Sequence, residues 1–247
     1  MSNDEQHAFE EDWVSPEAIV HIFEASQFAF LASIGLLLFT TATHDTSRGQ
    51  HALAGISWKT LQLNLLSAFV RVPFQMMTHF FDHWITGVEI VFSIALLGML
   101  VALLELGMLP AAGPRPTEDF NSLAAIISAF LLASIPGLMH HAGYAPYVSL
   151  GTSVFLEVAA VIPQRRLFAM VKRMPALASH SLALLVLSRG LRLVVWALMC
   201  LGGAHEWSLL LADAVHVYLL WDFFKEYLRS RGSGTSELII ATRARSM

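Results

Sequence analysis

Residues Phe155 to Gln164 read FLEVAAVIPQ, an apolar run interrupted by one carboxylate, Glu157, and closed by the pair Pro163 and Gln164. Both interruptions are expensive if the run lies in a bilayer. An ionisable group within a span costs roughly 2.5 to 3.5 kcal/mol on insertion scales, and proline removes a backbone donor that lipid cannot replace. The stretch therefore predicts a membrane helix whose neighbours satisfy both Glu157 and the broken backbone ladder.

The rest of the chain fits that setting. Of 247 residues, 55% are hydrophobic and only 14% charged, a balance unlike that of a soluble globule. Mean hydropathy is +0.59. A helical crossing takes about 20 apolar residues. Seven segments meet this, near 17–41, 54–76, 84–109, 121–141, 145–171, 177–203 and 206–228, which predicts an all-α protein of seven transmembrane helices. Around the 17–228 membrane domain lie an acidic N-terminal tail, 1–16, and a basic C-terminal tail, 229–247.

Loop charge alternates as seven crossings require. The N-terminal tail carries Asp4, Glu5, Glu10, Glu11 and Asp12 without Lys or Arg, and the loops after the second, fourth and sixth spans carry neither. Arg48 and Lys59, Arg115, Arg165, Arg166, Lys172 and Arg173, and Lys225, Arg229, Arg231, Arg243 and Arg245 occupy the other side. The positive-inside rule then places the N-terminus outside, or lumenal, and the C-terminus inside. The net charge of -4 comes largely from the first tail, and the basic residues form no single patch, so nothing points to nucleic acid.

Cys200 is the only cysteine, which excludes an intramolecular disulfide and leaves the redox compartment unread. The acidic start is unlike a cleavable signal peptide or an Arg-rich presequence, and the final Ala-Arg-Ser-Met is no retention signal. Targeting is thus not set by either end.

Three arginines fall inside spans: Arg71 in the second, Arg189 and Arg192 on one face of the sixth. Candidate acids are Glu24, Glu89, Glu105, Glu157, Asp213 and Asp222. Glu157 with Arg189 reads either as a structural ion pair or as part of a ligand site. Arg71, with no acid within a helical turn, reads as a ligand anchor. Unneutralised arginines at mid-membrane suit a carboxylate. His79 with His83 and His140 with His141 lack a Cys or acid to complete a metal set, so no metal or other cofactor is expected. Trp84, Trp196, Trp207 and Trp221 read as interfacial anchors. No nucleophile triad, phosphate loop or hydrolase elbow is present, and an enzyme is not expected.

Two blocks resemble the ER lumen protein-retaining receptors, or KDEL receptors, which share a seven-helix architecture with PQ-loop and SWEET transporters. Ala54-Gly55-Ile56-Ser57 with Lys59 is similar to the family's AGIS-x-K start of the second span, placing Arg71 at the spacing of the pocket arginine. Leu156-Glu157 through Ile162-Pro163-Gln164 resembles LE-SVAILPQ and continues without a gap through His180 and Arg189 to Trp196. Trp221-Asp222-Phe223-Phe224 resembles CDFF, with Glu206 where the family has an Asp, and a looser match runs from His21 to Phe39. The resemblance implies two three-helix bundles joined by the fourth helix, although the chain shows no clear internal repeat. It also implies Arg71, Glu157 and Arg189 as pocket candidates, to which Arg192 is added by its place on the face of Arg189, with Pro163, Gln164, His180, Trp196, Glu206 and Asp222 as structural positions.

The departures bear on function. Relative to the resemblance, Glu24 replaces a pocket arginine and Leu31 the pH-sensing histidine. Val72, Phe74, Tyr147, Leu150, Ser188 and Met199 replace further ligand contacts. Glu in place of Arg repels an acidic tetrapeptide, so a KDEL-type peptide is not expected to bind. Three readings follow: a structural or accessory subunit of a larger membrane complex, in the mitochondrial inner membrane or another organelle; an ER–Golgi retrieval receptor for an altered signal; and a SWEET-like small-solute transporter. The expected partners are membrane lipids and other membrane-protein subunits.

Overall fold

A computed structural model describes residues 15–43, 56–77, 84–105, 120–138, 144–170, 173–174, 176–203, 206–232 and 238–239. Among these residues the chain forms seven helices: α1 Pro16–Thr43, α2 Trp58–Met77, α3 Trp84–Glu105, α4 Ser122–Gly137, α5 Tyr144–Met170, α6 Ala176–Leu201 and α7 Trp207–Gly232. This is an all-α membrane protein, its seven helices falling where the hydropathy placed seven spans. Stretches of α1, α5, α6 and α7 are long and apolar enough to cross a membrane, with shorter apolar stretches at 87–103 and 122–137. Helix α2 is interrupted by polar residues because Thr60, Ser67 and Arg71 reach partners on α5.

The helices form two trios. In the first, α3 packs on both α1 and α2; in the second, α7 packs on both α5 and α6; and the trios meet through α1 on α6 and α2 on α5. Helix α4 leans on α5. It starts on Asn121, whose Oδ1 accepts from Ala124 N at 3.0 Å, as an N-cap should. Its inner face is the small-residue stripe Ala129, Ala133 and Gly137. Opposite stands Gly151, where an added Cβ would meet the Ala133 Cβ at 3.0 Å, so small residues set the approach of the two backbones. Its outer face, including Leu123, Phe130 and Ile135, is exposed for lipid.

Hydroxyls bridge α2 and α5 beside the prolines of both helices. Pro73 and Pro163 both lie inside helices, where each ring removes a donor and loosens the preceding turn. Ser149 of α5 accepts from Phe74 N at 3.3 Å and donates to Val70 O, standing in for the backbone bond between those two groups. Reciprocally, Thr60 of α2 donates to Ala160 O at 2.7 Å, just ahead of Pro163. Gln164, buried, accepts from Ser57 N at 2.9 Å and so caps the start of α2. Gln164 of the Pro-Gln pair thus couples the two trios through α2. Across the other seam, Ser181 of α6 donates to Ser33 O of α1 at 2.7 Å.

Helix α7 continues to Gly232, carrying Arg229 and Arg231 in its last turn where they favour the helix dipole. Residues Leu238–Ile239 (β2) then pair antiparallel with Arg173–Met174 (β1) between α5 and α6, in the register Arg173 to Ile239 and Met174 to Leu238. Met174 is buried in the cluster of Val161, Phe168, Leu182 and Phe223, which anchors this return. The 1–14 segment of the acidic tail lies outside the described residues, as do Arg243 and Arg245.

Candidate functional site

The expectation of unneutralised arginines does not hold, because helices remote in sequence bring acids to each of them. Glu89 of α3, Arg71 of α2, Glu157 of α5, Arg192 of α6 and Asp213 of α7 form one alternating chain of charges across the bundle. Arg71 Nη1 donates to both Glu89 carboxylate oxygens at 3.4 Å, and its Nη2 donates to Glu157 Oε1. Arg192 Nη2 donates to Glu157 Oε2 at 2.7 Å and to Asp213 Oδ1 at 2.5 Å, while its Nε donates to Asp213 Oδ2 at 2.6 Å. Trp196 Nε1 completes the chain by donating to Asp213 Oδ2 at 2.8 Å. Arg189 branches from the centre, its Nη2 lying 3.1 Å from Glu157 Oε1 and its guanidinium carbon 4.6 Å above the Phe30 ring.

Three guanidiniums and three carboxylates make a neutral set, and this is what allows the charges to be buried. A lone buried charge would retain its full desolvation cost, whereas each one here faces an opposite charge in a low-dielectric core. Hydroxyls complete the carboxylates: Ser67 donates to Glu157 Oε1 at 3.1 Å and Ser93 to Glu89 Oε1 at 3.4 Å. Glu157 is 2% exposed and Asp213 0%, while the Arg71 side chain, at 12%, is the most open member.

Around this chain the positions that differ from the resembled receptors are occupied by packing. Leu150 and Met199 join Val154, Trp196, Leu209 and Ala212 in an apolar cluster. Tyr147 is buried, and its hydroxyl lies 2.5 Å from Ser208 Oγ. Glu24 pairs with His21 at 3.3 Å on the more open part of α1.

Other sequence-derived candidates lie apart from the charge chain. Trp196 is not the interfacial anchor suggested by its place in the sequence; Asp213 draws its indole inward. Asp222, read as a structural acid, has its side chain 84% exposed and, among the described residues, pairs with Lys225 at 3.4 Å. The seventh-helix acid that matters is Asp213, one turn after buried Leu209 on the inward face. His180 accepts from Arg231 Nη2 at 2.8 Å and packs edge-on against Tyr227, holding the end of α7 against the start of α6. The Glu206 carbonyl accepts from the amides of Leu209 and Leu210, both at 3.1 Å, and starts α7. His79, His83, His140 and His141 lie outside the described residues.

A repeat overlooked in the sequence becomes visible once the trios are matched. Thr60 and Ser181, Ser67 and Ser188, and Arg71 and Arg192 are each 121 residues apart, with Leu61, Leu63 and Leu66 recurring as Leu182, Leu184 and Leu187. Helices α2 and α6 are therefore equivalent elements, each donating a hydroxyl to the facing helix and an arginine to an acid on the third helix of its trio. Leu-rich membrane helices hide such a pattern, and the polar positions reveal it.

The fold and site define a multi-pass helical membrane protein with a charged core at the junction of two trios. The family described as ER lumen protein retaining receptor matches residues 52–199, more than half of the chain. The chain belongs to that family. The match covers α2 to α5 and nearly all of α6, and ends before Asp213 and His216. No individual curated protein matches the chain significantly.

Proposed function

We propose that this chain is a non-enzymatic, KDEL-receptor-like protein whose retention-signal pocket is closed from within, and that it serves as a structural or accessory subunit of a larger membrane assembly. The observation that carries this reading is that Arg71, Arg189 and Arg192 all contact Glu157, with Glu89 and Asp213 completing the neutral set. A ligand carboxylate would have to displace an acid already bound at close range, and the displaced acid would remain buried without a partner. Leu150 and Met199 supply packing where the resembled family has ligand contacts. Loop charge favours an N-terminus outside or lumenal and a C-terminus inside. The family favours ER and Golgi membranes, and a subunit role admits another organelle such as the mitochondrial inner membrane.

A second reading, a retrieval receptor for an altered C-terminal signal, draws support from Arg71, whose side chain is the most open of the three arginines. Localisation of a tagged copy followed by purification in mild detergent separates the two. The accessory-subunit reading expects a stable stoichiometric complex confined to one membrane. Recovery as a free protein cycling between ER and Golgi would overturn it in favour of the receptor.

A further inference from the structure

One level along the α6–α7 interface is left chemically incomplete. The two helices run antiparallel through the Arg192–Asp213 pair, so one turn away Arg189 and His216 stand at the same level. His216 is 1% exposed and Arg189 2%. Among the described residues, Arg189 Nε and both ring nitrogens of His216 have no hydrogen-bond partner, and Arg189 Nη2 has only its ion-pair contact with Glu157. Buried donors and acceptors of this strength are nearly always satisfied in folded proteins. Phe30 covers one face of the Arg189 guanidinium, leaving its in-plane N–H edge to make the contact.

We infer that the Arg189–His216 level is a binding site for one small monoanion, of the size of chloride or formate, taken up together with one proton. Charge sets both parts of this stoichiometry. The charged groups acting on His216 are Arg189 and Arg192 on α6 and Glu157 on α5, with Arg189 the strongest of them, and Asp213 lies three residues earlier on its own helix. With Glu89 and Arg71 they belong to a set that is already neutral, so an anion entering beside a neutral imidazole would be buried uncompensated. A protonated imidazole adds one positive charge and a second N–H donor, which a monoanion neutralises while accepting from Arg189. A dianion would leave a net negative charge, and a bulky anion would have to displace Phe30.

The test uses the purified full-length protein. Chloride or formate is titrated against gluconate at constant ionic strength while the unfolding temperature is followed across a range from about pH 4.5 to 7.5, which extends well below an ordinary histidine. The expected result is saturable stabilisation whose apparent affinity falls about tenfold per pH unit above the titration, as one coupled proton requires. A pH indicator in weak buffer should record one proton taken up per anion. His216→Gln, which keeps polarity and volume, should abolish the proton uptake and the pH dependence. No saturable effect at any pH in that range, binding without proton uptake, or unchanged coupling in His216→Gln would each overturn the proposal.

Discussion

The two trios present the same ionic device in different strengths. Each places an arginine on its second helix against an acid on its third: Arg71 with Glu89, and Arg192 with Asp213. In the first trio the contacts are 3.4 Å and the arginine is partly exposed; in the second they are 2.5 to 2.6 Å, buried, and braced by Trp196. Two charges have no equivalent in the other trio. The repeat places Ala68 opposite Arg189, and the matching hydroxyl contacts to Ser33 O and Ala160 O place Phe30 opposite Glu157. The unmatched arginine and the unmatched acid are in contact with each other. A symmetric core thus gained one pair of opposite charges and stayed neutral, which is the condition for burying six ionised groups in a membrane protein.

This comparison ranks the substitutions that break it. Glu157→Ala removes the acid shared by three arginines and should have the largest effect, about 3 to 5 kcal/mol, seen as loss of yield and of monodispersity. Adding Arg189→Leu should recover part of that loss, because it removes the arginine with no acid other than Glu157. A double variant no better than the single one would show that the unmatched charges are not a pair. Arg192→Leu leaves Asp213 without its guanidinium and should cost nearly as much, about 3 kcal/mol. Arg71→Leu should cost less, about 1 to 2 kcal/mol, because Glu157 keeps two arginines and Glu89 keeps Ser93. Thermal unfolding of the two variants side by side checks the asymmetry, and equal losses would remove it.

Gln164→Leu tests the seam rather than the charges. It leaves Ser57 N without its acceptor and should lower stability by about 1 kcal/mol. Asp222→Asn, at an exposed pair outside the core, should shift stability by no more than about 0.5 kcal/mol. A larger effect would return that acid to the structural role suggested by the resemblance.

Much of this was legible in the chain. The seven spans follow from hydropathy, and their ends fall within a few residues of the helices because Pro, Gly and charged residues bound them. The need of Glu157 for a partner, and Arg189 as one such partner, follow from the cost of burying charge. The acids of Arg71 and Arg192 were not legible as partners, because Glu89 lies 18 residues from Arg71 and Asp213 lies 21 from Arg192, on other helices. Asp222 drew attention through its motif, whereas Asp213 sits in an unremarkable apolar run. The tail that folds back at Leu238 depends on a two-residue pairing with no sequence signature.

The central claim is that the arginines of the resembled binding site are already neutralised by acids of the same chain. Titration of the purified protein with a Lys-Asp-Glu-Leu peptide between about pH 5 and 7, the range over which an ordinary histidine switches, tests it most directly. The account predicts no measurable binding at either end of that range. Micromolar binding that weakens as pH rises would contradict it and return the chain to the retrieval receptors.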